Sequence, residues 1–222
     1  MELTLGIDDA GRGPVIGPMV LAGCLIDDKT SKEFKKLGIT DSKKLTQKKR
    51  ENLAEKIKQK AETYEIIIIS PPQIENYNHN GTKLNEVEAF ACASIINKIN
   101  KGYEKIKIVI DCPSVNIEKW TKFLKSKIKD SSNLEISCEH KADNNHIVVG
   151  AASILAKCTR ELEMDKIKQI YGKEVGSGYC SDPATKKFLE KYAREHKDKG
   201  IFRKTWITWQ KVFEKLGQKT LA

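Results

Sequence analysis

Apolar and polar positions alternate from the third residue of the chain. Leu3, Leu5 and Ile7 are separated by polar or small residues, the period-two pattern of a strand, and the run stops at two adjacent carboxylates, Asp8 and Asp9. Residues 19–26 form a largely apolar stretch that predicts a second, buried strand. Thr46 can cap a helix in which Leu53, Ile57 and Ala61 recur every four residues. Residues 65–70 predict a third strand, closed by Pro71 and Pro72. Asn85-Glu86-Val87-Glu88 has the form of a capping box with Asn in the Ser/Thr place. It opens a helix with Val87, Ala91, Ile95 and Ile99 inward. Residues 106–110 predict a strand ending at Asp111, Trp120, Leu124 and Ile128 mark a helix, and residues 134–138 predict another strand. A helix follows Asp143 and runs through Lys157. From there the pattern is helical, with Phe188, Leu189 and Tyr192 in one segment and Trp206, Trp209, Phe213 and Leu216 in the last.

Strands alternating with helices predict an α/β fold, a mixed central sheet flanked by helices. The strand-free end reads as a small helical appendage, which divides the chain into residues 1–181 and 182–222. With 222 residues, 39% of them hydrophobic, one sizeable core is expected. No apolar stretch approaches the roughly 18–20 residues needed to span a bilayer, and no leader pattern is visible. The six cysteines are far apart, match no zinc spacing and sit mostly in apolar stretches, so a soluble, reduced, cytoplasmic protein is expected.

Charge narrows the class of partner. Lys+Arg 40 against Asp+Glu 30 leave a formal +10, and from Lys186 onward eleven Lys or Arg stand against four Asp or Glu. Such a basic end fits a polyanion, although a lysine-rich solvated surface has the same composition. Against that background Asp8, Asp9, Asp111 and Asp143 share a position: each closes an apolar strand or lies in the polar loop just after one. Ligands of open α/β sheets bind beyond the carboxyl ends of the strands. Four acids gathered there resist ionising together, a conflict that hard divalent cations such as Mg²⁺ or Mn²⁺ remove. Two such ions about 3.5–4 Å apart form a clamp for displacement at phosphorus. Each aspartate taken singly reads more readily as an Asx turn or helix cap. Gly11-x-Gly13 with Gly17 has the wrong spacing for a dinucleotide fingerprint and leads into a strand, so that use is excluded.

Four blocks occur in order: GIDDAGRGPVIGPMV (residues 6–20), DSKKL (41–45), HKAD with AASILAK (140–157) and GSGYCSDP (176–183). Together they resemble type 2 ribonucleases H, ribonuclease HII, of the archaeal kind, over nearly the whole chain. The resemblance implies a ribonuclease H-like fold with a helical C-terminal part. It implies endonucleolytic cleavage of RNA in RNA–DNA hybrids and incision 5′ to ribonucleotides embedded in duplex DNA, leaving 3′-hydroxyl and 5′-phosphate ends. The family's four acidic positions fall on Asp8, Asp9, Asp111 and Asp143, which would hold two Mg²⁺ or Mn²⁺ ions. In that chemistry a metal-activated water attacks phosphorus and the second metal stabilises the leaving 3′-oxygen. The resemblance further implies that the backbone of Gly11-Arg12-Gly13 reads the 2′-hydroxyl, that Tyr179 stacks on the sugar following the ribonucleotide, and that Ser42 and Lys43 contact phosphate. Arg203-Lys204-Thr205-Trp206 matches a segment expected to combine phosphate contact with helix packing. A monomer is expected, with no membrane partner and no evident clamp-binding peptide at the C-terminus.

The chain departs from the family pattern at a few places. Asp9 stands where Glu is usual and is one methylene shorter; because neighbours on a strand point to opposite faces, reaching a shared site asks for a bend or a longer side chain. Residues 144–147 lack the usual proline, Gly150 replaces Ser, and Cys180 replaces Pro. His140 and His146 read as ordinary polar loop residues. Two other functions share most of these features: a non-catalytic hybrid-binding protein that holds metal badly, and another ribonuclease H-fold nuclease such as a junction resolvase.

Overall fold

The computed structural model describes residues 2–39 and 45–218; Ser42 and Lys43 lie outside them. β1 (Leu3–Ala10) and β2 (Met19–Asp27) pair antiparallel, with Leu3 opposite Asp27 and Ala10 opposite Val20. Asp27 then takes the Thr30 N–H at 2.7 Å and caps α1 (Asp28–Lys36). Thr46 caps α2 (Gln47–Lys60) as its position predicts. β3 (Thr63–Ile69) ends before Pro71, but the two prolines open α3 (Pro71–His79) as well as closing the strand. Proline fits a first helical turn, where its missing N–H has no partner to lose.

α4 (Leu84–Ile99) begins one residue before the expected box, and Val87, Ala91, Ile95 and Ile99 are buried as expected. β4 (Ile106–Asp111) lies parallel to β1, Leu3 opposite Ile106 and Ile7 opposite Ile110. α5 (Ile117–Lys125) stops short of Ile128. β5 (Leu134–Glu139) runs parallel to β4 and sets Asp111 opposite Glu139. The short α6 (Ala142–Asn145) and the long α7 (Ile147–Tyr171) follow, then α8 (Pro183–Tyr192) and α9 (Ile207–Gln218). The sheet has five strands in the order β3-β2-β1-β4-β5, so the carboxyl ends of β1, β4 and β5 share one edge.

The described chain forms two compact units, Met1–Ala10, Val20–Ile67 and Leu84–Thr159 in the first, and Gly11–Met19, Ile68–Lys83 and Arg160–Ala222 in the second. The units do not part at residue 181/182: the second gathers two short N-terminal stretches as well as the C-terminal helices. In the first unit Val20, Ala22, Cys24 and Ile26 pack with Leu53 and Ile57 of α2 and with Val149, Ala152 and Leu155 of α7. Gly6 makes that packing close. A Cβ on Gly6 would lie 2.4–2.5 Å from the backbone of Val148 and Val149, so only glycine lets β1 meet the first turn of α7. In the second unit Ile16, Met164, Phe188, Leu189, Phe202 and Trp209 form the core, and Ile16 bridges Phe202.

Candidate active site

Parallel pairing of β1 with β4 sets the first part of the site. Ile7 and Ile110 are partners, so Asp8 and Asp111 each follow at the strand ends. Asp8 is 6% exposed. The Asp9 N–H donates to its Oδ1 at 2.8 Å, and the Ser153 hydroxyl of α7 also donates to this carboxylate. These bonds favour ionisation and are outweighed. Burial first, then the charge of Asp9, and then that of Asp111 raise the Asp8 pKa well above the usual carboxylate range.

Asp9, the next residue of β1, borders a narrow cleft lined also by Asp8, Asp111, Glu88, Cys92 and Trp120. The Cys92 thiol is pushed up by burial foremost, with the charges of Glu88 and Asp9 adding to it. Glu88 is 1% exposed. The capping-box pattern places its carboxylate at the helix entrance; with α4 starting at Leu84 it lies beyond the first turn and lines the cleft, and no local sequence signal separates the two uses.

Asp111 links the strand ends to the following loop. Its Oδ1 accepts the Ala142 N–H at 3.1 Å, which anchors the first turn of α6, and Asp143 is the next residue, 5% exposed. Lys141 enters α6 with φ +58. Both histidines fix loop geometry: His140 Nδ1 lies 3.2 Å from the Cys112 carbonyl, and His146 Nε2 lies 2.9 Å from Glu139 Oε2. His146 foremost, with Ser137, holds the Glu139 carboxyl below its usual range. The structure therefore brings Asp8, Asp9 and Asp111 to one cleft and seats Asp143 one residue beyond an amide bound to Asp111. Among the described residues no three His, Cys, Asp or Glu side chains stand at chelating distance; Asp8 and Asp111 are engaged with protein amides instead. The donor set is all oxygen, and the buried Asp8 carboxylate has the charges of Asp9 and Asp111 beside it, so the residues fit a hard divalent cation.

The second unit carries the remaining expected residues. Gly11, Arg12 and Gly13 form a turn whose three carbonyls accept from Arg203 and Trp206. Tyr179 is 41% exposed, and its ring lies 5.0 Å from the Arg160 guanidinium, which also donates to the Ser177 carbonyl at 3.0 Å. Arg203 is fully buried, which removes it from the expected phosphate contacts. A basic run carries no signal that separates a buried arginine from a solvated one.

A parallel-centred mixed sheet with carboxylates at adjacent strand ends defines an α/β protein of the ribonuclease H-like class. A family model for ribonuclease HII matches residues 5–209, and the chain belongs to the ribonuclease HII family. A ribonuclease HII from Thermococcus sibiricus is 44% identical over 215 residues, covering 95% of this chain and 91% of that protein. The crystal structure of a ribonuclease H2 from Pyrococcus horikoshii OT3 superposes with a TM-score of 0.86 at 37% identity, over 96% of this chain and 98% of the other. Ribonuclease HII from Archaeoglobus fulgidus, solved in complex with PCNA, gives 0.81 at 35% identity, over 92% and 95%. No described helix is long and apolar enough to cross a membrane.

Proposed function

We propose that Asp8, Asp9, Asp111 and Asp143 hold the divalent cations of a type 2 ribonuclease H and that the second unit selects the sugar at which the strand is cut. Membership of the family makes the chain a phosphodiester hydrolase, an endoribonuclease acting on RNA in RNA–DNA hybrids. The finer reading adds incision 5′ to single ribonucleotides in duplex DNA, leaving 3′-hydroxyl and 5′-phosphate ends. The observation that carries the metal assignment is Asp8, a buried carboxylate beside the charges of Asp9 and Asp111. Bound there as a pair, Mg²⁺ or Mn²⁺ would generate the attacking hydroxide and neutralise the leaving oxygen. The chain's own part is positional. Asp111 ties β4 to α6 and so sets where Asp143 sits; Ser153 orients Asp8 from α7. Asp9, one methylene shorter than glutamate, would meet a cation from the cleft it lines, directly or through a water. In the second unit the Gly11-Arg12-Gly13 backbone meets the 2′-hydroxyl, which is both donor and acceptor and separates RNA from DNA. Tyr179 offers a half-exposed ring for stacking on the next sugar, while Ser42 and Lys43 contact phosphate. The catalytic unit is a monomer acting in the cytoplasm, and the PCNA complex of the Archaeoglobus protein makes a sliding clamp a partner to test by pull-down.

The test is a labelled DNA duplex with one ribonucleotide, incubated with Mg²⁺ or Mn²⁺ and then with EDTA. A nick 5′ to the ribonucleotide that EDTA stops is expected. Asp111→Asn should lose more than the roughly 10–100-fold that supporting residues at a metal centre cost, with duplex affinity retained. Binding without any metal-dependent nick would favour a non-catalytic hybrid binder, and cleavage of an all-DNA junction would favour a resolvase.

A further inference from the structure

Arg203 opens a basic segment, and an arginine there would ordinarily reach for phosphate. Its side chain is 0% exposed instead. Nη2 donates to the Gly11 carbonyl at 2.6 Å, Nη1 to the Arg12 carbonyl at 2.7 Å and Nε to the Gly17 carbonyl at 3.0 Å. Trp206 lies with its ring centroid 5.0 Å from the same guanidinium and donates its indole N–H to the Gly13 carbonyl at 3.2 Å. Every carbonyl of the Gly11–Gly13 turn is thus held by residues 203 and 206. The planar fork of arginine can address several carbonyls at once; a lysine ammonium on its flexible stem cannot match that geometry.

Peptide planarity fixes the opposite side of the turn. In a trans peptide the C=O and the following N–H point in opposite directions, and the described chain has no cis bond. With the carbonyls of Gly11 and Arg12 drawn to the guanidinium, the N–H groups of Arg12 and Gly13 point away from it. Pro14, after the third carbonyl, has no N–H to present. Successive N–H groups aimed one way form a cradle for an electron-rich oxygen. The two glycines differ in what they serve. Gly11 has φ +82, and a Cβ there would lie 2.3 Å from Arg160 Nε and 2.7 Å from the Pro18 carbonyl. At Gly13 a Cβ would meet nothing within 4 Å among the described residues, so the protein's own packing leaves that position open to a ligand.

We infer that Arg203, covered by Trp206, is a positioning residue for ribose selectivity. It locks the turn so that the Arg12 and Gly13 N–H groups face the oxygen of a substrate 2′-hydroxyl, which deoxyribose lacks. The inference rests on the reading of this turn as the segment that meets the sugar. Arg203 does not touch substrate; it acts through the three carbonyls it holds.

The test compares wild type, Arg203→Lys, Trp206→Phe and Gly13→Ala as full-length proteins in one Mg²⁺ buffer. KM is measured on a duplex with one ribonucleotide, and Ki for the all-DNA duplex of the same sequence used as competitor. The ratio Ki/KM reports selectivity for the 2′-hydroxyl. Arg203→Lys is expected to lower the ratio about tenfold, through KM with Ki unchanged, and Trp206→Phe to lower it about threefold. A purely structural role would reduce kcat by loss of folded enzyme and leave both constants where they were. Gly13→Ala, which blocks the approach without touching Arg203, should also lower the ratio. A lowered ratio in Gly13→Ala with an unchanged one in folded Arg203→Lys would overturn the inference while sparing the sugar reading. A wild-type ratio of one, or an unchanged ratio in Gly13→Ala, would overturn both. Should Arg203→Lys fail to fold, an unchanged ratio in Trp206→Phe overturns the inference alone.

Discussion

Asp8 carries its carboxylate into the interior at the end of β1, with Asp9 beside it in the chain and Asp111 on the neighbouring strand. In the unfolded chain this group ionises in the ordinary carboxylate range, while in the folded protein burial and like charge raise its pKa. Above the ordinary range the folded state therefore binds more protons than the unfolded one, and stability falls as pH rises toward the raised pKa. At neutral pH the metal-free protein keeps that cost. Asp8→Asn removes the charge at nearly constant shape, so its metal-free melting temperature should rise, by about 2–4 °C for each kcal/mol relieved. Hydrolysis should be lost in the same variant. Calorimetry with and without Mg²⁺ checks both signs: wild type should gain more from the ion than the variant does. A lower melting temperature in Asp8→Asn would mean that the bonds from Asp9 N–H and Ser153 outweigh the repulsion. The aspartates were legible in the sequence because each follows an apolar strand. Glu88 was not, since a carboxylate in a helical first turn looks the same whether it caps the helix or faces a cleft.

The elements divide the same way. α2, α4 and α7 declare themselves by the spacing of the apolar residues they bury, β2 by an apolar run buried on both faces, and β1, β3, β4 and β5 by short apolar stretches of strand length. α1 does not: within Asp28–Lys36 only Phe34 is buried, so no periodicity exists to read, and its visible cue is the Asp27 cap. α3 was hidden by Pro71 and Pro72, whose fixed φ ends a strand and starts a helix equally well. The Gly176–Pro183 loop shows how a cap can carry function. Asp182 accepts from Ala184 N–H at the start of α8 and from the N–H and hydroxyl of Ser177, both at 2.7 Å. These bonds, Ser177 foremost, draw its pKa down to about 2. Its contribution is present above the ordinary aspartate range and is lost as pH falls toward 2. Asp182→Ala should cost about 1 kcal/mol in denaturant unfolding, the usual worth of a helix cap. It should also raise KM, since the loop that presents Tyr179 loses two anchors; an unchanged KM would separate the cap from substrate contact.

Across the whole molecule the charge is uneven in a way the strand and helix pattern could not announce. The second unit, with the Gly11–Gly13 turn and Tyr179, has seventeen Lys or Arg against ten Asp or Glu, a net +7 of the chain's +10. The first unit, which carries the aspartates, is left with +3. A nuclease meets a strand of fixed negative charge, and each phosphate it neutralises adds about −0.9 to the slope of log affinity against log salt. If the second unit supplies most of those contacts, the slope should respond to its lysines and hardly to those that precede β4. Lys186 and Lys187 are exposed in the first two turns of α8, just beyond the Tyr179 loop. Lys101 and Lys105 are exposed ahead of β4, at the end of the parallel strands opposite Asp111. Titrating duplex affinity from low to moderate salt, Lys186→Gln with Lys187→Gln should make the slope shallower by about 1–2. Lys101→Gln with Lys105→Gln should leave it unchanged. Equal changes in both pairs would mean that the basic charge acts as a diffuse field over the whole surface, with no footprint on the second unit.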